Sequence, residues 1–442
     1  MSASYAAQPC RATDPQTASS SREQVQPARP LKICLLGYRS APFSGGQGIY
    51  LRYLSKALLE AGHQVDVISG QPYPDLVDGV RLIKLPGMNL YETGLGSLRL
   101  HHLRSWTNIV EWTGKLSGGF SEPYCFGRRV YKYLRRHGRH YDVIHDNQCL
   151  SYGTLALQKK GFPLLTTIHH PITHDRDIAL AAAKTEGERK LIARWHSFLD
   201  MQRKVARQLH HIVTVSERSR QDIAGAFAIQ PAAIHLVHCG VDTEVFRPIP
   251  EIAKIPRRIM ATVSADQPLK GVTFLLRALA EVVRHYPDVE LLMVGKPKAD
   301  GEAERLIEQL GLSPNIRCVR GIDTDTLVTH YNEAEIVVVP SLYEGFGLPA
   351  AEAMACGTAV ISSDGGALPE VVGDAAETVP AGHSDALARA LINLLADDGR
   401  RHALAAAGRR RIEGMFSWRR AAEEMVTLYR TTLVGQSTQA GE

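Results

Sequence analysis

Paired cysteines, long apolar runs and an excess of charge of one sign are all missing from this sequence. Its seven cysteines are scattered and never spaced as Cys-x-x-Cys, so we predict neither a disulfide framework nor a zinc ribbon. No apolar run approaches the roughly 18 residues of a membrane-spanning helix, and the first residues lack a signal-peptide pattern. The net charge of +5 is too small to indicate nucleic-acid binding. We therefore expect a cytoplasmic protein.

The rest of the composition is typical of a globular protein. Of the 442 residues, 44% are hydrophobic and 22% are charged, which excludes a wholly disordered or collagen-like chain. At about 150 residues per domain, this length predicts two or three domains. Residues 1–30 differ, because they are rich in Ser, Gln, Pro and Ala and contain few large apolar side chains. We predict that they form a disordered leader.

From Leu31 onward, short apolar runs rich in β-branched residues alternate with helical patterns. Such runs, separated by helices, indicate parallel sheets that are covered on both faces. The predicted strands form one series at 32–38, 65–69, 80–85, 141–145, 163–168 and 211–215, and a second at 258–263, 289–294, 316–319, 335–339 and 358–362.

The two series of strands predict two doubly wound α/β domains. We place the first at 31–246 and the second at 258–412, with a proline-rich linker at 247–257. An amphipathic pattern predicts a terminal helix within 413–433, and a polar tail follows at 434–442. Because open α/β sheets bind ligands beyond the carboxyl ends of their strands, the loops after the strands are where chemistry is expected.

The segment after the strand at 335–339 contains the strongest local signals. The strand ends at Pro340, a loop with Gly345 and Gly347 follows, and Pro349 stands where a helix would begin. The backbone N–H groups of such a loop, together with the partial positive charge of the helix N-terminus, form a site for a phosphate.

Two glutamates lie in this segment, eight positions apart. Glu344 precedes the turn and Glu352 falls in the first part of the helix. Carboxylates there suit the hydroxyls of a sugar or a ribose, which they bind by charge-assisted hydrogen bonds. The spacing also fits a simpler interpretation, in which Glu352 complements the helix dipole and Glu344 is a solvated loop residue.

The whole segment resembles the donor-binding signature of the retaining family 4 glycosyltransferases, two glutamates eight positions apart followed by a Gly-Gly loop and a third glutamate. The resemblance extends over about 31–430. The matching residues of the signature are Glu344, Glu352, Gly365, Gly366 and Glu370, and further matches are VTVSERSRQDI at 213–223, HCGVDTEVFRP at 238–248 and FSW at 416–418.

The resemblance implies a GT-B fold, in which two Rossmann-like domains face a cleft and a C-terminal helix crosses back to the N-terminal domain. It implies that Glu352 binds the ribose hydroxyls of a nucleotide sugar and that Glu344 lies near the donor sugar. The backbone N–H groups of Phe346, Gly347 and Leu348 would receive the diphosphate.

The same family has a basic clamp after the first strand of its second domain, and Lys270 matches the lysine of that clamp. Lys270 would neutralise the charge that develops on the leaving nucleotide. The arginine that usually precedes it falls on Ala265, which is a departure from the pattern. Another cation such as Arg320 could replace it, backbone donors and Lys270 could suffice, or transfer could be impaired.

In the first domain, Gly45, Gly46 and Gly48 lie between a predicted strand and a helix. By themselves they indicate only a tight turn that can approach a ligand closely. The resemblance makes this turn the glycine-rich loop at the cleft, with Gly46 as the expected contact.

Two adjacent histidines follow the strand at 163–168. Successive side chains of an extended segment point in opposite directions, so at most one of His169 and His170 can line the cleft. The resemblance favours His169, in a role near the donor sugar. His145, with Asp146 and Asn147, is a weaker candidate on the acceptor side.

We expect no metal and no other cofactor. Two Asp-x-Asp triplets occur, at 175–177 and 323–325, and the second has the sequence pattern of a helix N-cap. No cluster of Cys or His has metal-binding spacing either.

A basic and aromatic stretch follows the third predicted strand. Trp106 and Trp112 stand beside Arg99, Arg104 and Lys115. This stretch is either a solvated basic helix face with tryptophan in the core, or a surface that docks on anionic lipid. The second interpretation would place the protein at the inner face of the plasma membrane, and many members of the family act on lipid-linked acceptors.

These observations predict a retaining glycosyltransferase that moves a hexose from a UDP- or GDP-sugar to a hydroxyl acceptor, in glycan, glycolipid or polysaccharide assembly. One alternative is another GT-B enzyme, a sugar phosphorylase or a sucrose-synthase-like protein. The other alternative is a non-catalytic protein that binds a sugar nucleotide. Ala265, which stands where the family usually has an arginine, is the feature that supports this alternative.

Overall fold

The computed structural model describes residues 29–42, 46–262 and 268–434. Nearly all of the predicted leader and tail, together with Gly45 and Ala265, lie outside the described residues. Within them, the chain forms two parallel sheets with helices packed against each.

The strands of both sheets are numbered in chain order. The first sheet contains β1 (Lys32–Gly37), β2 (Gln64–Ser69), β3 (Arg81–Lys84), β4 (Val143–Asn147), β5 (Leu164–Thr167), β6 (Ile212–Thr214) and β7 (Ile234–Leu236) in the spatial order 3-2-1-4-5-6-7. The second contains β8 (Arg258–Thr262), β9 (Glu290–Val294), β10 (Ile316–Val319), β11 (Ile336–Val339), β12 (Ala359–Ser363) and β13 (Glu377–Val379) in the order 10-9-8-11-12-13. Each sheet therefore winds outward in two directions from a central strand, as in a doubly wound fold.

The helices connect these strands. Those of the first half are α1 (Gly46–Glu60), α2 (Leu90–Thr93), α3 (Trp106–Leu116), α4 (Glu122–His137), α5 (Tyr152–Lys159), α6 (Thr173–Ala182), α7 (Glu186–Trp195), α8 (Leu199–Ala206) and α9 (Glu217–Phe227). Those of the second half are α10 (Val272–His285), α11 (Glu302–Gln309), α12 (Thr324–Glu333), α13 (Leu348–Ala355), α14 (Leu368–Val372), α15 (Ser384–Ala396) and α16 (Asp398–Met415), and α17 (Trp418–Tyr429) continues into a π-helical turn at Arg430–Val434. Short 3₁₀ turns lie at Leu95–Ser97, Leu100–Arg104, His196–Phe198, Pro231–Ala233, Pro268–Lys270 and Ser313–Asn315.

All eleven predicted strands are confirmed, with ends that differ by two residues or fewer. Their apolar character explains this: in β11 every residue is buried, and in β1 only Lys32 is exposed. The two strands that the sequence pattern missed, β7 and β13, lie at sheet edges and are three residues long. Edge strands this short carry no continuous apolar run, so periodicity could not identify them.

The last helix returns to the first half of the chain, as the resemblance implied. Helix α17 packs against α1, where the Trp418 ring stacks on Tyr53 at 5.9 Å and meets Tyr50 edge-on at 5.5 Å. At its other end, the Tyr429 hydroxyl lies 2.6 Å from Nδ1 of His145, which belongs to β4. Residues from both halves and from α17 thus share one buried cluster.

The expectations about cysteines and membrane spans concern features of the whole fold. No disulfide joins the six cysteines in the described part of the chain, and Cys10 lies outside it. Among the described helices, none has the length and apolar character that crossing a bilayer would require.

Candidate active site

The loop between β11 and α13, which we call the donor loop (residues 340–347), ends in an unusual backbone conformation. Gly347 has φ 101° and forms the N-cap of α13, with Pro349 in the first turn. The N–H groups of Phe346, Gly347 and Leu348 donate no hydrogen bond to any described residue. Because these groups stand at a helix N-terminus with its partial positive charge, they suit an anion, and their role in binding a diphosphate stays a prediction.

Lys270 and Glu344 lie side by side in this region. The Lys270 ammonium donates to Oε1 of Glu344 at 2.7 Å, and the Ser341 hydroxyl donates to the same oxygen at 2.7 Å. The pairing follows from a close backbone approach, because a Cβ on Gly271 would collide with the carbonyl oxygen of Pro340. Only glycine permits this contact, which brings the 3₁₀ turn at Pro268–Lys270 against the donor loop.

Glu352 lies inside α13, almost fully buried, with 8% of its surface exposed. The Tyr331 hydroxyl donates to its Oε2 at 2.9 Å, and its Oε1 has no hydrogen-bond partner among the described residues. Burial raises the pKa of Glu352 to about 7. A buried carboxylate with one free oxygen and a shifted pKa is a strong candidate for ligand binding.

His169, at the end of β5, is held in one orientation. Its Nε2 lies 2.6 Å from Oδ1 of Asn147, whose Nδ2 donates to the carbonyl of Gln47 near the start of α1. Tyr50 packs edge-on against the ring at 4.7 Å. Burial lowers the pKa of His169 to about 3, so the ring is neutral, and the Asn147 contact makes Nε2 the donor and Nδ1 the free acceptor.

His170 points elsewhere, as the alternation of an extended segment requires. Its ring faces the donor loop, where a Cβ on Gly345 would lie 3.1 Å from Nδ1 of His170 and 3.2 Å from the His169 carbonyl oxygen. The strand ends of the first sheet therefore meet the donor loop of the second half directly.

The remaining candidates of the first half have internal partners. His145 is buried, with Nδ1 bonded to Tyr429 and Nε2 to Thr167, and burial lowers its pKa to about 3. Asp146 accepts hydrogen bonds from two amides of the loop that follows β4. Of these neighbours only Asn147 reaches His169.

The two described glycines of the glycine-rich turn, Gly46 and Gly48, differ in their surroundings. Gly46, the first residue of α1, has no atom of the described residues within 4 Å of the position that a Cβ would take. Gly48 is required by packing, because a Cβ there would collide with the carbonyl oxygen of Ala41.

The residues considered for charge or metal binding have different places in the fold. Oδ1 of Asp175, in the first turn of α6, lies 3.4 Å from Nε2 of His170. Arg320 is exposed and follows the edge strand β10, with β9 between it and β8. Asp323 caps α12 by accepting from the Thr326 amide at 2.8 Å, as predicted. No cluster of three or more His, Cys, Asp or Glu residues in the described ranges could hold a metal ion.

Some residues of the site carried no recognisable sequence signal. Tyr331, which holds Glu352, lies in α12 and contacts it only through the tertiary fold. Asn147 was noted only as a neighbour of His145, and its contact with His169 depends on the pairing of β4 with β5. Ser216 and Ser219, at the start of α9, lie within the matching segment 213–223, but no local pattern distinguishes them from their neighbours.

Two doubly wound halves that meet at their strand ends, with unbonded N–H groups at the start of α13 and a helix that crosses back, are the architecture of a GT-B glycosyltransferase. Solved structures of such enzymes match the whole fold. Sucrose-phosphate synthase from Thermosynechococcus elongatus aligns with a TM-score of 0.68 and 25% identity, over 91% of this chain and 100% of that one. The Anabaena protein HepE, solved with UDP and glucose, aligns with a TM-score of 0.65 and 17% identity, over 90% of this chain and 99% of that one, and supports the fold alone.

The chain belongs to glycosyltransferase family 4. The family model described as Glycosyltransferase Family 4 matches residues 44–245, and that described as Glycosyl transferases group 1 matches residues 247–411. A relative from Mycolicibacterium hassiacum, named MMP alpha-(1->4)-mannosyltransferase, is 42% identical over 90% of this chain and 98% of its own length. A D-inositol 3-phosphate glycosyltransferase from Corynebacterium urealyticum is 28% identical over 91% of this chain and 96% of its own length.

Proposed function

We propose that this glycosyltransferase moves mannose from a nucleotide diphosphate donor to a sugar hydroxyl and forms an α-(1→4) linkage. The proposed donor is GDP-mannose. The observation that carries the proposal is the Lys270–Glu344 pair, which lies beside the unbonded N–H groups at the start of α13. The name of the 42% identical relative supports mannose and the linkage. Because nucleotide-linked mannose has the α configuration, an α product corresponds to retention.

Each candidate residue then has a role set by its surroundings. The N–H groups of Phe346, Gly347 and Leu348 bind the diphosphate together with Lys270, and this stabilises the negative charge that develops on the diphosphate as its bond to the sugar breaks. In this scheme no metal ion is needed. The free oxygen of Glu352 binds the ribose hydroxyls.

The remaining residues act at the donor sugar. Glu344, held by Lys270 and Ser341, faces the sugar, and its position is fixed before the donor binds. His169 offers Nδ1 as an acceptor to a sugar hydroxyl, while Gly46 leaves the cleft open on the side of the first sheet. The site thus uses fixed dipoles and charges instead of a bound cofactor.

The donor is tested by measuring nucleotide release from GDP-mannose, UDP-glucose and ADP-glucose, with EDTA present and with α-(1→4)-linked mannose oligosaccharides as acceptors. We expect GDP release from GDP-mannose alone, at the same rate with and without EDTA. Dependence on inorganic phosphate would instead identify a phosphorylase, and sugar transfer to free nucleotide a sucrose-synthase-like enzyme. Donor binding without turnover on any acceptor would support a non-catalytic binding protein.

A second part of the proposal concerns an exposed apolar face, which we call the α3 face. The α3 face is our name for four exposed side chains, Leu100 and Leu103 in the 3₁₀ turn before α3 and Trp106 and Leu116 at the two ends of α3. Leu100 and Trp106 are 86% and 62% exposed, so the expectation that Trp106 belongs to the core is wrong. Exposed Arg99 and Arg104 lie beside this face. We propose that the α3 face docks on an anionic membrane that carries a lipid-linked acceptor.

Flotation with vesicles tests membrane docking. At low salt, the protein should float with phosphatidylglycerol vesicles and not with phosphatidylcholine vesicles, because the apolar and basic side chains act together. The double variant Leu100→Ser/Trp106→Ser should lose most of this binding. Leu310→Ser, which changes an exposed leucine of the other half, is the matched control. If the wild-type protein does not float with anionic vesicles at low salt, this part of the proposal is excluded.

A further inference from the structure

The first turn of α9 is attached to the donor loop by two side chains. The hydroxyls of Ser216 and Ser219 donate to the carbonyl oxygen of Gly345 at 2.8 and 3.0 Å. A third contact lies one turn further along, where the Tyr343 hydroxyl of the donor loop donates to Asp222 at 2.9 Å. Helix α9 belongs to the first half of the fold, so these bonds join the two halves.

A carboxylate of the second half completes the attachment. Oε1 of Glu370 accepts from the amide of Glu217 at 2.9 Å and from Nε2 of His238 at 2.9 Å, and Oε2 accepts from the amide of Arg218 at 3.2 Å. Amides in the first turn of a helix have no partner within that helix, so Glu370 caps α9 from the opposite half of the chain. Burial raises the pKa of Glu370, but the bonds from His238 and the two amides outweigh this effect and lower it, which favours the charged form.

The bonds to Gly345 also set the direction of the next amide. In a planar trans peptide, the carbonyl of one residue and the N–H of the next point in opposite directions. Two hydroxyls that hold the Gly345 carbonyl therefore fix the direction of the Phe346 N–H, which is one of the groups proposed to donate a hydrogen bond to the diphosphate. The loop has little freedom to turn, because Gly345 also lies against His170.

We propose that the first turn of α9 is a clasp, formed by Ser216 and Ser219 with Glu370 as its partner, that orients the donor loop and holds the two halves together during transfer. Ser216, Ser219 and Glu370 are positioning residues, since they act through the Gly345–Phe346 peptide. The inference rests on the proposed function for its kinetic consequences, while the contact itself can be tested without any substrate.

The clasp is tested first by amide hydrogen exchange in the ligand-free protein. In Glu370→Ala, the amides of Glu217 and Arg218 should exchange at least tenfold faster, because they lose their acceptors, while amides of the buried strand β11 should be unaffected. Glu370→Gln keeps one acceptor oxygen and should give an intermediate rate. Equal exchange of these two amides in wild type and Glu370→Ala would overturn the proposal.

Kinetics then test the positioning role. Ser219→Ala and Glu370→Ala should each lower kcat by about tenfold, with Glu370→Gln in between, and the double variant should fall less than the product because the residues act as one unit. Ser55→Ala, which removes a buried serine hydroxyl bonded only within α1, is the control and should match wild type.

The outcomes separate the two proposals. Faster exchange with an unchanged kcat would overturn the positioning role. An unchanged unfolding temperature in the variants, with a lower kcat, supports it. A wild-type protein that is inactive with every donor would refute the proposed function, and the exchange rates would still decide whether the clasp exists.

Discussion

Replacing Glu352 by glutamine is expected to weaken donor binding by roughly 10- to 100-fold and, at pH 8, to make the ligand-free protein more stable. Binding falls because a charged acceptor for two hydroxyls becomes a neutral amide, and hydrogen bonds to charged groups contribute about 1.5–3 kcal/mol. Stability rises because the burial that raises the pKa of Glu352 to about 7 also makes its ionised form costly in the folded state.

The pH dependence of this gain has a definite sign. The folded protein keeps a proton on Glu352 that the unfolded chain releases, so wild-type stability falls as the pH rises from the ordinary carboxyl range through about 7. Glutamine does not ionise, so the variant has no cost of a buried charge at any pH. The difference in the free energy of unfolding should be small at pH 5 and should approach about 3 kcal/mol at pH 8.

Thermal unfolding at pH 5 to 8 without nucleotide, together with calorimetric titration of GDP and GDP-mannose, measures both effects. Glu302→Gln, at an exposed glutamate in the first turn of α11, is the matched control and should leave both quantities unchanged. Tighter or unaltered donor binding in Glu352→Gln would contradict the assignment of the ribose contact. A variant less stable than wild type at pH 8 would contradict the account of the buried charge.

Removing the Lys270 side chain is expected to lower kcat by about 10²- to 10³-fold, with a much smaller change in the KM for the donor. A fixed cation stabilises the charge on the departing diphosphate more than the charge of the intact donor, so its loss acts mainly on the transition state. The ion pair with Glu344 keeps the ammonium in position before the donor arrives. Lys270→Arg retains the charge and should recover part of the rate.

Steady-state kinetics with GDP-mannose separate kcat from KM for this variant. Lys204→Ala, at an exposed lysine of α8, controls for the loss of a positive charge elsewhere on the surface. Turnover of Lys270→Ala close to that of wild type would mean that backbone donors alone hold the diphosphate. A large rise in KM with an unchanged kcat would place Lys270 in ground-state binding only.

The sequence predicts the architecture well because its strands are apolar and long enough to recognise. It identifies Glu344 and Lys270 separately, but not that they form an ion pair, since that depends on the contact of Gly271 with Pro340. It predicts that His169 and His170 point in different directions, because alternation along an extended segment is a local property, but not that His170 lies against the donor loop. The assigned roles of these residues, like the predicted domain boundaries, stay predictions.

Contacts between distant parts of the chain are the features that local patterns miss. Tyr331 holds Glu352 across two different helices, and Glu370 caps a helix more than 150 residues earlier. Neither pair has a fixed spacing, so only the tertiary structure reveals it. The two interpretations of Trp106 stayed open for the same reason, because a tryptophan on a short helix becomes buried only if another element covers it.

The crossing of α17 onto α1 has a consequence for how the protein is made. The aromatic face of α1, with Tyr50 and Tyr53, and the buried His145 are covered by Trp418 and Tyr429. A ribosome synthesises the first half long before these two residues emerge. During that time the aromatic face of α1 is not covered. The core of the N-terminal half can therefore be completed only after α17 has been synthesised, and until then its uncovered surface is open to contact with other chains.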